Sequence, residues 1–317
     1  MKNLHKIILK RDININNELR QAIKEGANLD ELKDGLSPIM LAAQMGHLDT
    51  VDLLVEAGAN IDLSDEDGRT ALHWACWEGH QPLVQYFIDH GQDINLADAE
   101  GVTPLHCAAF QDSSDLARFL LAAGAKVNSA DIDGWTPLFH ATPELSKLFI
   151  DSGATLQCAN SDGNTPLHMS VSRGELDLSN IFLENNADPN AENCIGLSPL
   201  HVAAFEGHTD LIHSLVEHGA NVHARDKLQA TPLHLAATEG QSSTVTALLE
   251  LGADPNSVGE LGFTPLHWAA FGGHEETVQQ LLENNADRSI KDNEGRTAEL
   301  IAREEGYASV ADLIYSF

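Results

Sequence analysis

One tetrapeptide governs this chain. Thr-Pro-Leu-His, or a near copy, begins at residues 37, 70, 103, 136, 165, 198, 231, 264 and 297, and every step is 33 residues except one of 29. A unit of that length is far smaller than a domain with a core of its own. It cannot bury an apolar face alone, so its stability has to come from stacking on its neighbours.

The stretch from Asp98 to Ala130 shows how such a unit is built. Glu100-Gly101 supplies a turn, Thr103 an N-cap whose hydroxyl can accept an orphan N–H, and Pro104 the first helical residue. Leu105, Ala108 and Ala109 fall on one helical stripe, and the small alanines allow close approach by the next unit. A second helix places Leu116, Phe119, Leu120 and Leu121 on its apolar side and stops at Gly124. Ala125-Lys126-Val127-Asn128 then leads out as a hairpin arm. Asn185 and Asn285 stand where other units have the helix-ending Gly. Gln229-Ala230 replaces the usual turn Gly, which predicts a strained or differently shaped hairpin there.

A 33-residue period built on this tetrapeptide resembles the ankyrin-repeat family, over about residues 15–317. The resemblance implies an all-α repeat solenoid of helix pairs joined by β-hairpin-like loops. Residues 1–32 read as an N-terminal capping segment with a lone helix near 16–28. Residues 33–291 read as eight repeats, with a short one at about 131–159, and 292–317 as a C-terminal capping repeat. In the short repeat Thr136-Pro137-Leu138-Phe139-His140-Ala141 runs straight into Thr142-Pro143-Glu144. Its first helix should be barely more than one turn, leaving a notch beside Trp135 and Phe110 that could admit a partner side chain.

The formal charge is −30, from 18 Lys+Arg against 48 Asp+Glu. Residues 34–68, 174–224 and 228–287 contain no Lys or Arg, and each stretch carries eight acids. Phosphate backbones and anionic lipid surfaces would be repelled, which argues against nucleic acid and against binding to anionic membranes, and no membrane insertion is expected because no apolar run is long enough. A cationic partner would be drawn in. No apolar run approaches the ~20 residues of a membrane span, and the start lacks a secretory apolar core. A cytoplasmic location is expected, or export by a route using no such signal. Cys76, Cys107, Cys158 and Cys194 form no CxxC pair and read as reduced, small apolar fillers.

Chemistry-bearing motifs are missing. There is no GxSxG, HExxH, phosphate loop or dinucleotide fingerprint. Of 16 histidines, six close the tetrapeptides: His73, His106, His168, His201, His234 and His267. The resemblance implies that these brace the turn and link neighbouring repeats. One repeat apart, they are too widely spaced for a shared zinc. No enzymatic activity, cofactor or metal is expected.

The resemblance further implies that partners meet the concave face, formed by hairpin tips and the exposed side of the first helices. Seven and eight residues after each N-cap this chain carries, among others, Trp77-Glu78, Phe110, Phe205 and Phe271. The tips add Glu66, Asp67, Glu100, Asp133, Trp135 and Phe263. Aromatic anchors rimmed by acids suit a protein with a basic or mixed basic-apolar segment. The leading expectation is a monomeric scaffold, adaptor or regulator. Alternatives are an effector or regulatory subunit that inhibits or positions an enzyme, and a substrate for Asn hydroxylation at Asn95, Asn128, Asn190 or Asn256.

Overall fold

The computed structural model describes residues 3–10 and 15–317. The chain divides into two compact units, Met1–Thr155 and Leu156–Phe317. Among the described residues all regular structure is helical, and the only bridge is the isolated pair Lys33–Leu36.

The first unit stacks helix pairs in sequence order. Leu4–Ile8 pairs with Ile15–Lys24, Pro38–Gln44 with Leu48–Glu56, and Ala71–Trp77 with Gln81–Asp89. Pro104–Phe110 pairs with Ser114–Ala122, and a single 3-10 turn, Pro137–His140, precedes Pro143–Asp151. The second unit repeats the scheme five times, from Pro166–Ser172 with Leu176–Glu184 to Ala298–Glu304 with Ala308–Ser316. Neighbouring first helices pack on one another through the tetrapeptide leucines and the alanines after them, all of them buried in such helices as Pro104–Phe110 and Pro232–Thr238. The all-α repeat class read from the sequence therefore holds in each unit.

Within each unit main-chain bonds join neighbouring hairpin tips. Ala99 N–H donates to Asp67 O and Ile132 N–H to Glu100 O, both at 2.9 Å. In the second unit Cys194 donates to Asp162 O at 2.8 Å and Lys227 to Ile195 O at 3.3 Å. Within most tips an Asp or Asn side chain holds the turn. Asp98 Oδ1 accepts the N–H groups of Glu100 and Val102, both at 2.9 Å.

The tetrapeptide histidines act as rivets. His106 Nδ1 accepts the Thr103 N–H at 3.1 Å, and its Nε2–H donates to Trp135 O in the next repeat at 3.0 Å. A backbone N–H can only donate, which fixes the tautomer with the proton on Nε2. Thr103 is the N-cap of a capping box, as expected, and its hydroxyl also lies 2.9 Å from His106 Nδ1; Thr165 likewise accepts the His168 N–H. A second set reaches backward: His80 Nε2 donates to Gln44 O at 3.1 Å and His274 Nε2 to Thr238 O at 2.9 Å.

Three expectations need correction. The N-terminal segment is a helix pair and not a lone helix: Leu4, Ile7 and Ile8 are buried, and His5 Nε2 bonds Leu36 O at 2.8 Å. The left-handed residue after the second helix is Asn186 (φ 65°), not Asn185, which is still near-helical at φ −99°; Asn285 does take this role at φ 66°. Cys76 and Cys107 are buried fillers whose thiols burial pushes up, Cys107 to about 12, whereas Cys194 is exposed. Of the two outcomes open for the tip at Gln229, the structure shows strain, with φ at 61°.

Candidate functional site

In the first unit a row of rings lines the exposed end of the first helices. Trp77 closes Ala71–Trp77 and Phe110 closes Pro104–Phe110, the same register one repeat apart. Their rings stack with centroids 5.2 Å apart and planes 4° from parallel. His140, at the end of the short 3-10 turn, lies 4.4 Å from the Phe110 ring and 5.4 Å from Trp135. Trp135 in turn meets the buried Phe139 edge-on at 5.1 Å. The residue that sequence reasoning missed is His140. It carries no ligand spacing, and only the shortened helix brings its ring between Phe110 and Trp135. The expected notch thus holds an aromatic contact supplied by the repeat itself.

Acids surround this row. Glu66, Asp67, Glu100 and Asp133 are exposed at consecutive tips, and exposed Glu78 follows Trp77. Arg69 is the only Lys or Arg between Lys33 and Arg118. It is already engaged, with Nε 3.3 Å from Asp98 Oδ2 and Nη1 3.2 Å from Asp67 Oδ2. Asp98 is buried, so this pair braces the tip rather than neutralising the face.

The remaining residues singled out lie in the second unit. Phe205 and Phe271 are half-exposed, at 43% and 46%. Phe271 meets Trp268 edge-on at 6.1 Å. Phe263 is only 7% exposed and is not a tip contact. It holds the position just before the N-cap, where the chain turns inward, and packs at 5.0 Å on Trp268.

The hairpin-arm asparagines all have structural partners. Asn128 accepts the Thr155 N–H at 2.9 Å and donates to Gly153 O at 3.0 Å; Asn190 and Asn256 make the equivalent pairs. Asn95 accepts the Lys126 N–H at 2.8 Å. The tetrapeptide histidines are buried, and burial lowers their pKa, furthest for His234, to about 4. They are neutral hydrogen-bond bridges and face no common point. No helix of the described residues is long and apolar enough to cross a membrane.

A family model described as ankyrin repeats (three copies) matches residues 4–98, 57–131, 82–144, 126–193, 180–259 and 233–316. Rabankyrin-5 of Homo sapiens and of Mus musculus are each 42% identical over 57 residues. That stretch is 18% of this chain and 5% of either relative, so it speaks to the repeat alone.

Proposed function

The chain belongs to the ankyrin-repeat family, whose repeats mediate protein–protein interaction, and from that premise we propose that it is a non-enzymatic adaptor or regulator holding another protein on the acidic-aromatic face of its first unit. The observation that supports this is the row Trp77–Phe110–His140–Trp135 beside Glu66, Asp67, Glu78, Glu100 and Asp133. Stacked rings offer apolar area with little rotamer freedom left to lose. A Lys or Arg over such a face gains about 0.5–2 kcal/mol, the upper value when desolvated. The exposed carboxylates contribute mainly to encounter rate and orientation. The partner segment is therefore basic or mixed basic-apolar.

The test is affinity capture from native lysate with the wild type and with a Trp77→Ala, Phe110→Ala, Trp135→Ala variant. A partner lost by the variant, and released from the wild type as salt is raised, is the expected result. Identical captured sets would remove the site from this face.

A further inference from the structure

One hairpin tip in the second unit lacks the residue that braces the others from Asp65 to Asp292. Asp or Asn opens every other tip from Asp65 to Asp292, but Gly259 stands in that position in one repeat. The consequence is visible against the tip at 65. There Asp65 Oδ1 accepts the N–H groups of Asp67 and Arg69, at 3.0 and 2.8 Å, and Oδ2 accepts the indole N–H of Trp74 at 3.1 Å. Trp268 follows Gly259 by the same nine residues that separate Trp74 from Asp65.

The backbone frame is the same in both tips. Gly259 N–H donates to Phe263 O at 2.9 Å and Gly262 N–H to Gly259 O at 3.0 Å, against 3.0 and 3.1 Å for the pairs Asp65–Arg69 and Gly68–Asp65. The donors are in place without their acceptor. The N–H groups of Leu261 and Phe263 and the indole N–H of Trp268 have no hydrogen-bond partner among the described residues. They border a cleft of about 320 Å³ walled by Leu228, Leu235, Leu261, Phe263 and Trp268. A Cβ built on Gly259 would lie no closer than 3.6 Å to Phe263 O and 3.8 Å to Gln229 O and His234 Nε2, so there is room for a side chain.

We propose that this cleft binds a carboxylate carried on an apolar body, its two oxygens taking the places of the Asp65 carboxylate. One oxygen accepts from the Leu261 and Phe263 amides, and the other accepts from Trp268. A carboxamide does not suit, because its NH₂ would face the indole N–H, donor against donor. Asn serves at Asn160 and Asn193 because the residues nine further on, Met169 and Val202, carry no such side-chain donor. The Arg225 guanidinium spans this tip and the preceding one through Gln229 O and Val258 O, both at 2.9 Å, and adds positive charge at the rim. Glu260 opposes it but is solvent-exposed and screened. Asp226 is buried, and its Oδ1 is occupied by the N–H groups of Leu228 and Ala230.

This site lies within the second unit and is independent of the protein-binding face on the first. The test is ¹H–¹⁵N spectroscopy of the whole chain, with 3-methylbutanoate as probe and 3-methylbutanamide as its neutral counterpart. The chain has four tryptophans, so Trp268→Phe identifies the reporter resonance. The carboxylate should shift the Trp268 indole and the Leu261 and Phe263 amides saturably and leave Trp74 unmoved; the amide should leave all four in place. Gly259→Asp supplies the carboxylate from within. It should move the Trp268 indole toward the Trp74 position, raise Tm and weaken the probe by about tenfold or more. Trp268→Phe should by itself weaken the probe about tenfold, read from the Leu261 amide, because a charge-assisted bond is lost. An unresponsive Trp268 indole, an equal response to both probes, or undiminished binding in both variants overturns the proposal.

Discussion

Trp77 and Phe110 lie ring over ring across a repeat boundary, 5.2 Å apart and 4° from parallel. The relationship follows from register, since each is the seventh residue after its N-cap Thr. Phe110 remains 38% exposed, so its truncation removes only part of a buried ring's contribution. Phe110→Ala should cost about 1 kcal/mol. A double-mutant cycle with Trp77→Ala, followed by urea unfolding, should return a coupling of about 0.5–1.5 kcal/mol. Strict additivity would mean the rings merely lie near each other.

The tetrapeptide histidines make stability depend on pH in a defined direction. Burial lowers the pKa of His73, His106, His168, His201, His234 and His267. Their unfolded value is about 6.5, so above that pH both states are neutral and stability is complete. As pH falls below it the unfolded chain takes up protons that the native chain refuses, and stability is lost until the folded pKa is reached. For His234, with a folded value of about 4, the loss amounts to roughly 3 kcal/mol by that pH. Protonation at Nδ1 would also abolish the bond from the Thr231 N–H, 3.0 Å away. The urea midpoint should therefore fall between pH 7.5 and 5, and His234→Gln should flatten that slope. A midpoint that rises on acidification would contradict the bridging role.

Two glycines with similar backbones should respond differently to the same substitution. Gly46 has φ 75° and Gly58 φ 93°, and both pay the left-handed penalty of about 1 kcal/mol when replaced by Ala. A Cβ at Gly58 meets nothing within 4 Å, but one at Gly46 would sit 2.7 Å from His80 Cε1. That ring is held by its bond to Gln44 O. Gly46→Ala should thus cost about 2–3 kcal/mol against about 1 for Gly58→Ala, the difference being displacement of the inter-repeat histidine. Equal Tm losses would show that His80 gives way freely.

Helix starts were legible because three signals coincide at one residue, as at Thr103-Pro104: cap, proline and apolar stripe. The helix Leu4–Ile8 was not, because five residues give no period to detect and no tetrapeptide precedes it. The Asn185-Asn186 doublet offered two chemically equal stops, and only backbone geometry distinguishes them. The ring row was half legible. Trp77 and Phe110 follow from register, but His140 depends on a helix shortened to one turn, and the burial of Phe263 on the ring of Trp268. The free donors around Gly259 were out of reach for a different reason: the missing carboxylate is legible, but that it leaves the Trp268 indole N–H without an acceptor among the described residues emerges only when two tips are compared atom by atom.

Gln229 offers a gain of stability from a single change. It holds φ 61° at the tip position where Gly196 and Gly262 sit at 84° and 79°. A non-glycine residue in this region costs roughly 1–2 kcal/mol. Glycine would remove that cost but adds about 0.5–1 kcal/mol of unfolded-state entropy. The strain is the larger of the two, so Gln229→Gly should stabilise the chain by about 0.5–1 kcal/mol. The tip's other bonds should persist, since Asp226 Oδ1 accepts from Leu228 and Ala230 and Gln229 contributes only backbone groups, its N–H to Asp226 O and its carbonyl to Arg225. Thermal unfolding beside the wild type decides the matter. A lower Tm would mean that the Gln229 side chain contributes more than its backbone costs.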